Sequence, residues 1–436
     1  MTGSAPAAGS GRATADPAAR RPVGGGWIAS FGAMYLVQNL AWAAPSQLLL
    51  AQQILAWYPG EKEQRLAALM AVGGVASLMG HPLAGWLSDR TGGRFGLRAP
   101  WVLGGALVAA AALLSLAAAP VFGMLVAGWA VFQLVIAASI NAAQAIPPDT
   151  VPDRQYGIVS GVMGLTYTLG LVLGTAVATL LGIGAAYAVT AALLVTGVVQ
   201  FLVAHGDVTA VRVPRAPRDD APSAAPGPDP AAGTAAGPAD GAAGLFRGDA
   251  YHDYRWVFAA RFLVTAGNYV ALFYLFYYLR DRIGVADPDG GVLALTGVYA
   301  LCVVVTAMAS GRASDRSGRR RVYVALSSVG VAVACVLMAF AESFAVVVAA
   351  AVILGLSWGV YMAVDQALIN EVLPDADARG RDVGVMNLAV AGPNALAPVL
   401  AAASLAWLGG YPGLYVFSAA ITAVGAVIIR RVRTVA

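Results

Sequence analysis

Charge is scarce in this chain: only 11% of its 436 residues are Asp, Glu, Lys or Arg, against about a quarter in ordinary globular proteins. Apolar residues make up 59%, and the mean hydropathy is +0.72. A water-soluble fold would leave much of that apolar surface facing solvent, whereas a lipid bilayer accepts it. Cysteine is nearly absent as well. Cys302 and Cys335 both fall inside apolar runs, where a thiol behaves as a small hydrophobe, so no disulfide framework is expected. The three histidines, His81, His205 and His252, are far apart and lack ligand spacing with cysteine or carboxylate, so no metal site is expected. The apolar runs hold no nucleophile with a base and no clustered acid–base pair. That argues against a polytopic enzyme, and no cofactor is implied.

What the chain has in abundance is apolar runs of roughly 20 residues, the length a helix needs to cross about 30 Å of hydrocarbon. They do not alternate as barrel strands would, so helices are expected. Spans are read near 27–50, 66–87, 100–119, 121–144, 158–181 and 184–204, and again near 256–279, 292–311, 322–341, 344–368, 383–405 and 411–429. The expected fold is therefore all-α and integral to the membrane, with twelve transmembrane helices in two six-helix bundles. Residues 1–26 and 205–254 are rich in Ala, Pro, Gly and Asp, a composition unable to bury a core. They read as a disordered tail and a flexible linker between an N-terminal bundle (27–204) and a C-terminal bundle (255–431), with 432–436 as a short tail.

The basic residues decide the orientation. With the amino terminus inside, arginines fill the tail, the linker, the carboxyl end and the loops after even-numbered helices, Arg90, Arg94, Arg98, Arg154, Arg316, Arg319 and Arg379 among them. The opposite loops keep only Lys62, Arg65, Arg280 and Arg282. The positive-inside rule then places both termini in the cytoplasm of an inner or plasma membrane protein. The pI near 9.1 is a topology signal on this reading, and no nucleic-acid partner is expected.

The two halves repeat each other at a nearly constant offset. Gly85-Trp-Leu-Ser-Asp89-Arg90-Thr-Gly-Gly-Arg94 follows the second span, and Gly311-Arg-Ala-Ser-Asp315-Arg316-Ser-Gly-Arg319 follows the eighth. "QAIPPDTVPD" from Gln144 and "QALINEVLPD" from Gln366 follow the fourth and tenth, and "GVMGL" at Gly161 matches "GVMNL" at Gly384. Glycines here let a neighbouring helix approach, aspartates can accept from helix N-termini or arginine, and arginines can clamp facing carboxylates. The doubled G-x-x-S-D-R-x-G-x-R element resembles the signature loop of the major facilitator superfamily. The form "GWLSDRTGGRFGLRAPW" is similar to the version in glycoside-pentoside-hexuronide symporters and sucrose carriers. That resemblance implies a twelve-helix secondary transporter working by alternating access. It also implies a cytoplasmic gate built from Gly85, Asp89, Arg90, Arg94, Gly311, Asp315, Arg316 and Arg319. Drug/proton antiporters of the superfamily carry an arginine in helix 4 and G-x-x-x-G-P in helix 5. Here helix 4 has no arginine, and Gly170-x-x-x-Gly174 lacks the proline.

Ionisable residues within spans are costly and mark function. Asp365 in helix 10 and Arg261 in helix 7 lie at similar depth, about six residues or ~9 Å from their helix ends, and are expected to pair as the coupling group. The fold family implies that helices 1, 4, 7 and 10 line the cavity. Its candidates are Gln38, Asn39, Trp42, Gln133, Asn268, Tyr269, Trp358 and Tyr361, with Tyr167, Tyr299, Asn387 and Asn394 nearby. Amides and aromatic rings together suit a neutral polyhydroxylated solute. The expected function is transport of a small organic solute, with a sugar or glycoside favoured and a proton or cation coupled, by a monomer. The competing reading is a drug or metabolite exporter using proton antiport.

Overall fold

A computed structural model describes residues 22–90, 98–209, 251–317, 319–372 and 379–432. The described residues are helical throughout, with no strand among them. In chain order the long helices are α1 (Gly25–Ala44), α2 (Lys62–Arg90), α3 (Ala99–Ala117), α4 (Phe122–Gln144), α5 (Asp153–Leu180) and α6 (Ile183–Thr209). The second half gives α7 (His252–Phe273), α8 (Pro288–Ser317), α9 (Arg320–Ala339), α10 (Phe344–Val372), α11 (Arg379–Trp407) and α12 (Tyr411–Ile428). Ten of them, α3 to α12, are long and apolar enough to cross a membrane. With α1 and α2 they complete the expected twelve. Two extend past the apolar run that announces them, α2 starting at Lys62 and α7 at His252, whereas α6 breaks at His205, whose backbone is non-helical, before a last turn to Thr209. Backbone groups favour staying in the helix until water can take over their hydrogen bonds.

In both halves a π-helical turn interrupts the C-terminal end of the first helix. Pro45 lacks the N–H needed to continue the ladder, and α1 passes through a π-helical turn at Pro45–Leu49 before a final piece, Leu50–Trp57. The end of α7 does likewise, through Leu275–Tyr278 and a π turn at Leu279–Ile283. The α11–α12 connection is tight. Gly409 and Gly410, both at positive φ, turn the chain from α11 into α12 within three residues, a path side-chain-bearing residues rarely take.

The packing repeats with the sequence. In the first half α1 lies against α5 and α6, α2 against α4, and α3 against α4 and α6. In the second, α7 lies against α11 and α12, α8 against α10, and α9 against α10 and α12. The two halves meet along α2–α11 and α5–α8, contacts exchanged by the same pseudo-twofold relation. Gly170 and Gly174 explain the close α1–α5 approach. A methyl at Gly170 would sit 2.8 Å from Asn39 Cβ, and one at Gly174 2.8 Å from the Leu40 carbonyl oxygen. Large apolar side chains such as Val203, Leu301, Leu326 and Trp407 stand exposed on the outside of the bundle, as a lipid-facing surface requires.

Candidate transport site and the seal between the halves

An even number of spans puts both ends of the chain on one face, called here the terminal face, and the α1–α2, α7–α8 and α11–α12 connections on the far face. Midway toward the terminal face, α7 and α10 bring Arg261 and Asp365 together. Arg261 Nε lies 3.3 Å from Asp365 Oδ2, with the two side chains 10% and 7% exposed. The guanidinium is not aligned for a hydrogen bond, and its Nε and Nη1 find no partner elsewhere. Tyr361, one turn earlier on α10, sets its hydroxyl beside the same carboxylate without closing a well-formed bond. Its ring stacks on Trp358 at 5.1 Å between centroids. A buried ion pair with loose geometry and idle donors is poorly compensated for its desolvation. The equivalent place in the first half holds a neutral bond. Gln144 Nε2 on α4 donates to the Tyr35 hydroxyl on α1 at 2.8 Å.

The expected cavity residues divide into two groups. Gln38 Nε2 donates to Ser139 Oγ at 2.9 Å, and Ser139 donates to the Val102 carbonyl, so Gln38 ties α1, α4 and α3 together. Asn39 donates back to its own helix at Tyr35 O. The side-chain NH2 groups of these two amides are spent inside the first bundle. Gln133 and Asn268 are also buried, and they, like Gln38, each keep a side-chain carbonyl oxygen without a partner. Asn268 sits beside the Tyr299 hydroxyl. Trp42, Tyr269 and Trp358 are half-buried, while Tyr167, Asn387 and Asn394 are exposed.

The expected gate is only partly visible. Arg94 and the side chains of Gly85, Asp89, Arg90 and Asp315 lie outside the described residues. Among the described residues nothing lies within 4 Å of where a Cβ on Gly311 would stand. Arg316 and Arg319 are exposed and clamp no carboxylate among the described residues. A physical reason is that the halves are joined at the other end.

On the far face, polar groups from both bundles interlock. Lys62 Nζ, the single lysine of the chain, lies 2.9 Å from Asp281 Oδ2 and 3.4 Å from its own helix neighbour Glu63. The Tyr411 hydroxyl lies 3.2 Å from both Glu63 Oε1 and Asp281 Oδ2 and can donate to either. Tyr274 donates to the Glu63 carbonyl at 2.7 Å, and Tyr277 to the Ala51 carbonyl at 3.0 Å. Gln52 Nε2 donates to Asp289 Oδ1 at 2.7 Å. These bonds tie α1 and α2 to α7, α8 and α12. The hydrophobic core follows the same division. One cluster runs through the first bundle and the far-face part of the second, including Tyr274, Tyr277 and Tyr415. The terminal end of the second bundle packs as a separate cluster around Tyr254, Tyr361 and Met386. None of the sealing residues figured among the sequence candidates. Their only signal was the few charges left in the arginine-poor loops.

Duplicated six-helix halves, a far-face seal between them and a loosely held ion pair buried in the second half form the anatomy of a carrier. The profile of the Major Facilitator Superfamily matches residues 24–298 and 257–435. The chain belongs to that superfamily. Solved structures of similar fold include a peptide transporter POT, with TM-score 0.75 and 14% identity over 96% of this chain and 98% of that one. Another is the nucleoside transporter NupG, with TM-score 0.71 and 12% identity over 93% and 99%. By sequence, the multidrug efflux pump LfrA of Mycolicibacterium smegmatis (strain ATCC 700084 / mc(2)155) is 32% identical over 113 residues, which is 26% of this chain and 22% of that pump. As a major facilitator protein, this chain is a multi-pass membrane transporter. The likeness to a particular sugar-carrying branch is not among these matches.

Proposed function

We propose that this transporter is a proton-coupled secondary carrier of a small organic solute, working by alternating access as a monomer in the cell membrane. The observation that carries the reading is the buried Arg261–Asp365 pair on facing helices α7 and α10, held at 3.3 Å with donors unspent. Protonating Asp365 would release Arg261 and change the balance of charge between the bundles, while an empty, unprotonated site would keep the pair closed. The arginine-rich terminal face is the cytoplasmic one on this reading, and the sealed far face is extracellular, so the conformation described is closed to the outside. The loop after α2 favours a sugar or glycoside as solute, taken up by symport. A second reading, proton-driven export of a drug or secondary metabolite, is favoured by the stretch shared with the efflux pump LfrA. Solute flux in proteoliposomes as a function of pH on each side tests both. Asp365→Asn is expected to abolish the response of flux to an imposed pH gradient while leaving the protein folded. A gradient-driven flux unchanged in that variant removes the coupling role, and the direction in which the gradient drives wild-type flux separates symport from antiport.

A further inference from the structure

A cavity of about 60 Å³ lies in the far-face half of the second bundle, several times the ~10–15 Å³ one water needs. Leu272 and Leu275 of α7, Leu295 of α8, Met338 of α9 and Val347 and Leu354 of α10 are among the apolar side chains of its wall. It is nevertheless not the private interior of one bundle. Gln47 from the π turn of α1 and Leu171 of α5, both of the first half, complete it. On one side stand Thr296 and Tyr299, and Tyr299 neighbours Asn268, whose buried carbonyl oxygen has no partner. An apolar space of this size repels water and deprives its walls of contacts, so an occupant that fills it is favoured. An occupant would touch both halves where they are closed together, as a transported solute must, and its polar end would meet Asn268 and Tyr299. A sugar alone has no group that belongs among leucines, alanines and a methionine.

Resting on the carrier reading, we propose that this pocket takes the apolar part of the transported solute. The solute is then amphipathic: a ring or branched alkyl group about the size of a phenyl, joined to a neutral hydrogen-bonding head. A glycoside with an apolar aglycone meets this description, and so does a small aromatic metabolite.

Cys335 lines the pocket and is 1% exposed, which supplies the assay. In full-length protein carrying Cys302→Ser it is the remaining thiol, and its rate of modification by methyl methanethiosulfonate reads occupancy. Phenyl β-glucoside and 2-phenylethanol are expected to slow the reaction at least about fivefold and to raise the thermal midpoint, as any ligand of the folded form does. Methyl β-glucoside is expected to do neither. Ala351→Phe, which fills the pocket, should remove the effect; Ala271→Leu serves if that variant does not fold. If the thiol is unreactive in the free protein, the thermal midpoint with the same probes decides. Equal effects of methyl and phenyl glucosides, or no effect of either phenyl compound, overturn the proposal. Protection by lauric acid alone overturns it too and gives the pocket to a lipid chain. None of these readouts depends on proton coupling, so the pocket can fail while the carrier reading stands, and the reverse.

Discussion

Neutralising Asp281 should open the far face. Its carboxylate holds Lys62 at 2.9 Å, with side chains 28% and 14% exposed, and lies 3.2 Å from the Tyr411 hydroxyl. At an effective dielectric near 20 the bare attraction at that distance is about 6 kcal/mol, most of it cancelled by desolvation. Fully exposed pairs retain about 0.2–1 kcal/mol, and this one, more enclosed and joined by a hydroxyl, is assigned about 2 kcal/mol. Since each 1.4 kcal/mol is a factor of ten, Asp281→Asn is expected to shift the balance between far-face-closed and far-face-open forms about 30-fold. Spin labels at Gly60→Cys and Ala286→Cys, in a Cys302→Ser, Cys335→Ser background, report the gap between the two far-face loops by electron–electron double resonance in nanodiscs. A second, longer distance should grow in Asp281→Asn, and the swap Lys62→Asp with Asp281→Lys should restore the short one. Lys62 should also react faster with an amine-directed reagent once its partner is gone. Distance distributions identical to the parent's in both Asp281→Asn and Asp281→Asn with Glu63→Gln would refute the latch.

Arg261→Ala should cost about 3–5 kcal/mol of stability, seen as a lowered thermal midpoint in detergent, because it strands a buried carboxylate. The double substitution Arg261→Met with Asp365→Leu should regain most of that loss while remaining indifferent to pH in flux assays. Gly174→Val places methyls against the Leu40 carbonyl oxygen and should cut the monodisperse yield on size exclusion by forcing α1 and α5 apart, a strain of about 1–3 kcal/mol. A membrane-impermeant thiol reagent applied to intact cells should label Gly60→Cys and spare a cysteine placed at Arg319; the opposite pattern inverts the orientation proposed above.

The spans and their division into two bundles were legible in the sequence because lipid imposes one rule on every crossing segment, and because loops such as those at Asp89 and Asp315 occur twice. The Arg261–Asp365 pair was legible for a related reason: ionisable groups within spans are so few that two at equal depth have little else to meet. Gln38 and Asn39 looked like Gln133 and Asn268 on paper, and only the packing shows that the NH2 groups of the first two go to Ser139 and the Tyr35 carbonyl. The far-face seal was hidden because Tyr274, Tyr277, Tyr411 and Lys62 sit at helix ends, where rings and long cations ordinarily anchor a helix at the lipid–water boundary. The pocket left no mark at all. Leucine, alanine and methionine spell core and cavity alike, and the difference lies in volumes that no residue pattern records.

The bonds at Tyr35–Gln144 and Arg261–Asp365 occupy matching places, since Gln144 aligns with Gln366, the residue after Asp365. One member of this twin structure therefore holds a carboxylate that can take up a proton, while its sibling holds none. On the proton-coupled reading proposed above, the engine is lopsided by chemistry although even in shape: the second bundle would take the stroke, and the first would be the frame it pushes against.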